Sequence, residues 1–162
     1  FRQYHRQGPP GWHGGVKKNG PQAIGRSRGG WTTKIHLVAA DARTALAFGL
    51  SPGQAHDAPE GRKLLDRVGR RLRPTHLLMD RAYEGDETRQ LAVDVGYAPV
   101  VPPKQNRLAP WAYDRALYTR RNEIERLFRR LKGFRRIFTR FENLDVMFVA
   151  FINFALIVEA LC

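Results

Sequence analysis

The 162 residues suffice for one domain with a hydrophobic core, and 43% hydrophobic with 10% aromatic residues excludes a disordered chain. The formal charge is +13, from 28 basic against 15 acidic residues, which points to polyanionic partners: nucleic acid first, an anionic membrane surface second. A lone cysteine, Cys162, excludes an internal disulfide and suggests a reducing, cytoplasmic compartment; no signal-peptide pattern opens the sequence.

The charge is uneven. Residues 1–40 contain no acid, and Arg120–Arg140 hold eight Arg and one Lys, which favours a binding footprint over generic solubility. Residues 1–30 carry eight Gly and three Pro without hydrophobic periodicity, so they are expected to be an irregular, basic, Gly-rich segment. Within it, G-R-S-R-G-G (Gly25–Gly30) puts Arg26 and Arg28 on a flexible turn suited to a phosphate backbone, although Gly/Arg-rich linkers share that composition.

From Trp31 onward, residues 31–162 read as one α/β domain. Thr33, Ile35, Leu37 and Ala39 alternate with Lys34, His36 and Val38, predicting a half-buried strand. Asp41–Thr44 is the turn of a hairpin completed by Ala45–Leu50. After the Ser51–Pro59 loop, a helix over Glu60–Arg71 turns Leu64, Leu65 and Val68 inward. In that loop His56 and Asp57 are polar site candidates, and Asp57 is equally suited to cap the helix.

His76–Met79 is a short apolar strand ending at Asp80, where open α/β sheets place ligand sites. A turn or cap role is the bland alternative for Asp80, but Asp86 is the more natural cap for the next helix, Glu87–Val95. Tyr97–Val101 is a fourth strand, followed by the basic loop Lys104–Pro110. Trp111 and Tyr113 are placed either to stack on bases or to cover a core edge.

Tyr118–Lys132 reads as one amphipathic helix, with Ile124, Leu127, Phe128 and Leu131 at i, i+3, i+4 and i+7. At roughly 100° per residue, Tyr118, Arg121, Glu125 and Lys132 share an arc of about 60° beside that apolar face. A rigid carboxylate at a core margin suits a metal ligand or acid–base group, while a solvated helix charge is the commoner reading of any single Glu. After Gly133, Phe134–Phe141 interleaves Arg with aromatics, as a nucleic-acid groove does. Leu144–Leu161, interrupted by Asp145, Asn153 and Glu159, is expected to be a buried C-terminal helix rather than a membrane span.

Asp80 and Glu125 in so basic a chain suggest Mg²⁺ held against a phosphodiester, because a hard cation needs few carboxylates when it keeps its waters. The sequence holds no Cys cluster, H-E-x-x-H or G-x-S-x-G motif.

Taken together these residues resemble a family. The spacing Tyr118–x2–Arg121–x3–Glu125–x6–Lys132 matches the Y-R-E-K signature of bacterial insertion-sequence DDE transposases. The blocks G-R-S-R-G-G-W-T-T-K-I-H, L-S-P-G-Q-A-H-D, M-D-R-A-Y, V-V-P-P-K-Q-N-R and R-L-F-R-R-L-K-G-F-R-R-I-F-T-R-F follow that family's C-terminal half in order. The resemblance implies an RNase H-like mixed sheet flanked by helices, with an apolar C-terminal helix. It makes Asp80 and Glu125 the second and third catalytic acids and metal ligands, for Mg²⁺ or Mn²⁺ in a two-metal site. Tyr118, Arg121 and Lys132 would contact transposon-end DNA, with Arg26, Arg28, Lys104, Arg129, Arg135 and Arg136 extending the basic surface. The implied partners are terminal inverted repeats and target DNA, with self-association in a synaptic complex, no membrane, and a nucleoid location.

The departure lies at the front, where no acid precedes Asp41. Residues 1–15 can be back-translated so that a one-nucleotide shift reads S-D-S-T-I-V-R-A-H-Q-G-G-T-A, the kind of sequence the family places around its first Asp. The expectation is therefore an out-of-frame segment 1–15, a sheet lacking its first strand, and a truncated chain with weak or no cleavage. The alternatives are a non-catalytic DNA-binding remnant and another RNase H-like nuclease; a basic structural protein ranks last.

Overall fold

The expected hairpin forms and becomes the centre of the molecule. In the computed structural model, residues 20–28 and 30–162 are described with their side chains, and Arg2–Gln7 through their backbone. Strand β1 is Arg2–Gln7, β2 Gly25–Ser27, β3 Gly30–Ala39 and β4 Ala45–Pro52. The β3–β4 turn closes on Asp41, whose Oδ1 accepts from the backbone N–H of Arg43 (2.7 Å) and Thr44 (2.8 Å). Those two donors hold its carboxyl below the usual carboxylate range.

Thr33–Leu37 of β3 pair antiparallel with both β1 and β4, so those strands flank β3 on opposite edges. β2 pairs with the start of β3, from Gly25↔Thr32 to Ser27↔Gly30. Two expectations are corrected here. The 1–30 segment is not uniformly irregular, and a strand does precede the hairpin. R-Q-Y-H-R-Q lacks apolar alternation, yet a strand beside β3 needs only backbone donors and acceptors in register, here Arg2↔Leu37 through Gln7↔Thr32. Trp12 and His13 lie outside the described residues.

β3 is also more deeply placed than its pattern predicts, because Thr32–Val38 are all buried. Ile35 and Leu37 face one core, built with Ile124, Leu127, Phe128, Leu131, Ile137, Phe148 and Ile152. Val38 faces a second core with Leu64, Leu65, Leu77, Met79, Tyr83, Ala92 and Tyr97. Helices therefore cover both faces of the sheet, and the polar side chains on the second face must find partners inside. Lys34 Nζ donates to Asp57 Oδ1 (2.8 Å) and Ala55 O (2.7 Å), while His36 is hydrogen-bonded to the Tyr83 hydroxyl and Ser51 Oγ, each at 2.8 Å. Asp57, a site or cap candidate by sequence, begins helix α1 (Asp57–Val68) with His56 at the N-cap position, and neutralises Lys34; His56 is exposed.

β5 (Thr75–Leu78) and β6 (Tyr97–Val100) form a parallel pair. Between them run a 3-10 turn, Arg81–Tyr83, and helix α2, Asp86–Asp94. Gly85, not Asp86, is the N-cap of α2. Gly96 enters β6 with φ +86°, and a Cβ there would meet Arg71 O at 2.7 Å, so only glycine suits the position.

The single helix expected over Tyr118–Lys132 is divided into α3 (Arg115–Thr119) and α4 (Asn122–Leu131). Between them Arg120, Arg121 and Glu123 each bond the carbonyl three residues back, a 3-10 tightening that breaks the α phase between Tyr118 and Glu125. The apolar face of α4 is buried as its spacing requires. α5 is Arg135–Phe138 and α6 is Asp145–Leu161. α6 is not the fully buried helix expected: Phe148, Ile152 and Ala155 pack inward, but Val146, Met147, Phe154, Ile157 and Leu161 are exposed. One face of a helix reaches the core, and an apolar sequence all round does not change that geometry. Among the described residues no helix is long and apolar enough to cross a membrane.

Arg140 locks the C-terminal elements to β3. Its side chain is 1% exposed and donates to Asp145 Oδ1 (2.5 Å), Thr33 Oγ1 (2.7 Å) and Glu142 O (3.0 Å), with the guanidinium 4.7 Å from the Phe148 ring centre. Arg140→Met should cost about 3 kcal/mol in urea denaturation, since it removes the counter-charge of Asp145 and the donor to Thr33 Oγ1, whereas Arg135→Met on the surface should cost under about 0.5. Gly61→Ala should cost about 2 kcal/mol in the same assay, because the new Cβ would lie 2.6 Å from the buried Tyr83 ring.

Candidate active site

Asp80 follows directly from the parallel pair. Buried Met79 extends the pairing through its N–H to Val100 O (3.0 Å), so the next residue emerges at the carboxyl end of β5. Asp80 Oδ1 accepts from Ala82 N at 3.4 Å, making Asp80 the N-cap of the 3-10 turn as well as a site candidate. The turn is anchored by Tyr83, whose ring lies over Gly61 and whose hydroxyl bonds His36. Burial, reinforced by the nearby charges of Asp57, Asp80 and Glu60, pushes the Tyr83 phenol far above its ordinary value, so it stays protonated. Asp80 thus sits at the end of a buried chain running Ser51–His36–Tyr83.

Glu125 comes from the other core. The buried face of α4 packs below the Ile35 and Leu37 side of β3 and presents Glu125 at its margin. Arg121 joins the two carboxylates: Nη2 donates to Glu125 Oε1 at 2.8 Å, and Nη1 lies 3.5 Å from Asp80 Oδ2. These side chains are 21% (Arg121), 33% (Asp80) and 28% (Glu125) exposed, open to solvent but not free in it. The Arg121 guanidinium lies 5.6 Å from the Tyr118 ring centre, and Tyr118 packs edge-on against Tyr113 at 5.6 Å. Partial burial raises the Tyr118 phenol, with Arg121 opposing that shift. A cleft of about 60 Å³ between the ends of β3 and β5 and the start of α4 adjoins the site.

The structure thus brings together Tyr118, Arg121, Glu125 and Asp80. Lys132, the C-cap of α4, is exposed and roughly 10 Å farther along the helix axis, seven residues at 1.5 Å each. Arg26 and Arg28 lie on the exposed β2–β3 hairpin, and Arg129 and Arg135 are exposed beyond α4's buried face. Lys104 is half-exposed but pairs with buried Glu84 (3.1 Å), and Arg136 pairs with Glu142 (3.0 Å). Among the described residues no group of three or more His, Cys, Asp or Glu side chains gathers as a metal cluster.

One assembly went unrecognised in the sequence. Glu84 is buried and takes Lys104 together with Arg107 (3.2 Å), and Arg107 also reaches Asp86. The guanidiniums of Arg89 and Arg107 lie 3.5 and 4.5 Å from the Trp111 ring centre, while Trp111 Nε1 donates to Val101 O (2.8 Å). Of the two roles open to Trp111, the structure gives it the core-edge one. This clamp fastens the loop after β6 to the turn bearing Asp80. Two acids within R-A-Y-E-G-D and the later basic loop Lys104–Pro110 were its only sequence signal.

Comparison with known proteins bears on what this geometry belongs to. Residues 5–158 match the family described as the transposase DDE domain. A Brucella ovis protein, named as a transposase for insertion sequence element IS6501, is 30% identical over 128 residues, spanning 76% of this chain and 94% of the relative. No solved structure matches the chain. A family match over nearly the whole length, together with that relative, establishes that the chain belongs to the DDE-domain transposases of insertion sequences.

Proposed function

We propose that this chain acts on transposon-end DNA through an RNase H-like catalytic core in which Asp80 and Glu125 are two of the three acids required for phosphodiester hydrolysis and strand transfer. The observation that carries this reading is the convergence of Asp80 and Glu125, 45 positions apart, on the single guanidinium of Arg121. The element order also supports it: antiparallel β1, β3 and β4, then a parallel β5–β6 pair with helices over both faces.

DDE transposases use divalent metal ions. Two partly exposed carboxylate groups that meet within reach of one guanidinium fit a hard cation that keeps most of its waters, and Asp80 and Glu125 are the residues to hold it. Such an ion, when bound, lowers the pKa of a coordinated water and neutralises charge at the leaving oxygen. The chain's own residues do the rest. The Ser51–His36–Tyr83 chain and the Glu84–Arg107–Trp111 clamp fix the Asp80 turn. Arg121 and Lys132, at opposite ends of α4, would engage phosphates separated along the DNA. Arg26, Arg28, Arg129 and Arg135 would extend that grip along the duplex.

A second reading is favoured by one specific observation, the lack of any acid before Asp41. β1 occupies the edge of β3 with Arg2 opposite Leu37, where the shifted reading frame would set an Asp. With two carboxylates in place of three, the chain would hold metal weakly and bind DNA without cutting it. We therefore propose that residues 1–15 are an out-of-frame translation and that this copy is a DNA-binding transposase of little or no activity. The nucleotide sequence across codons 1–15 decides the frame; absence of an Asp codon in the shifted frame sinks that part.

Incubated with Mg²⁺ and a terminal inverted-repeat duplex, the chain alone is expected to give no nicking above background. Nicking that Glu125→Ala abolishes would show a complete site instead. Duplex binding by fluorescence anisotropy should weaken about 10³-fold between 50 and 200 mM salt if about six phosphates are contacted. Arg129→Ala and Arg135→Ala should each lower the salt slope by about 1; a flat response would refute the proposed footprint.

A further inference from the structure

The position of Arg121 carries a consequence beyond its assignment as a DNA contact. Its guanidinium spans the two carboxylates, at 2.8 Å from Glu125 and 3.5 Å from Asp80, in the place where a cation shared by them would sit. The contact to Glu125 is built into the helix, since Arg121 and Glu125 are i and i+4 and Arg121 is the N-cap of α4. The contact to Asp80 crosses between the two cores. The pair of carboxylates is therefore already half neutralised from within the chain. A divalent ion approaching them must either displace the guanidinium or bear its repulsion at close range. The displaced guanidinium needs another anion, and a phosphate offers the same bidentate geometry with greater charge. Tyr118, whose ring lies 5.6 Å from Arg121, provides an aromatic surface for the side chain to move along.

We propose that Arg121 is an internal counter-ion that competes with divalent metal for Asp80 and Glu125, and that a DNA phosphate relieves the competition by drawing the guanidinium away. Metal and DNA binding are then linked, each strengthening the other by the same factor. The device explains why an arginine, rather than a lysine, stands at this position. A planar fork meets two carboxylates at once, which a point charge on a flexible stem does not. The inference rests on the reading of Asp80 and Glu125 as metal ligands, and the test separates the two.

Mn²⁺ binding to the full chain would be followed by the loss of the free-ion electron spin resonance signal, at constant ionic strength. The proteins compared are wild type, Arg121→Gln, Arg121→Lys and the double variant Asp80→Asn/Glu125→Gln, whose signal defines binding elsewhere. Thermal melts establish that each variant is folded. Arg121→Gln is expected to bind Mn²⁺ at least about five-fold more tightly than wild type, with Arg121→Lys between them. Adding a terminal-repeat duplex should raise the wild-type affinity by a similar factor and leave Arg121→Gln nearly unchanged, each corrected with the double variant plus the same duplex. If the double variant loses Mn²⁺ binding but both Arg121 variants bind no more tightly than wild type, the counter-ion role is overturned and the metal site stands. If the double variant binds as well as wild type with and without duplex, both ideas fall. If Arg121→Gln does not fold, Arg121→Lys decides alone, and an affinity no higher than wild type rejects the proposal. If duplex leaves the wild-type affinity unaltered, the phosphate hand-over is rejected.

Discussion

A strand buried on both faces is the constraint on which the rest of the structure depends. β3 runs through the middle of the domain with Thr32–Val38 wholly covered, so each polar group it carries needs a partner inside the protein. Those partners are what tie the layers together. Lys34 fixes the start of α1 through Asp57, Thr33 takes Arg140 and with it the start of α6, and His36 links Ser51 of β4 to Tyr83. An all-apolar strand would bury as much surface but would leave those contacts nonspecific. Here the hydrogen bonds choose which helix sits where.

The candidate site is a by-product of that arrangement. Tyr83 is held by β3 from one core, and this places the 3-10 turn bearing Asp80. Ile35 and Leu37 hold α4 from the other core, and this places Glu125. The two carboxylates meet only because the two cores share a strand. Their junction is bridged by a guanidinium that belongs to α4 by helix spacing and to Asp80 by tertiary contact. Charge of one sign on either side would not bring them together unaided, so Arg121 also keeps two like charges from separating.

The net charge of +13 divides into distinct populations. Arg140 is structural, desolvated and matched to acceptors; burial lowers its pKa, and Asp145 opposes the shift. Arg89 and Arg107 stack over Trp111 and secure a loop. Arg26, Arg28, Arg129 and Arg135 remain exposed and form the basic surface. The interleaved run F-R-R-I-F-T-R-F contains both kinds within eight residues. Composition alone does not sort them, because burial of a guanidinium depends on whether acceptors from distant segments arrive beside it.

Local pattern settled much of the chain. The hairpin at Asp41, the apolar face of α4, the strand ending at Asp80 and the Y-R-E-K spacing were legible because each is decided by residues within about two turns or one strand of one another. The family followed from the order of those blocks. Pairing of β1 was not legible, since backbone hydrogen bonds form without an apolar signature. The break between α3 and α4 was hidden as well, because a 3-10 tightening changes phase without changing composition. Nor could the periodicity of α6 reveal that half its apolar surface stays exposed, as that depends on how much core the other elements offer. Most of all, only the tertiary structure decided that Asp80 and Glu125 meet on Arg121. Forty-five residues separate the acids, and their distance is set by the packing of two helical layers on one shared strand.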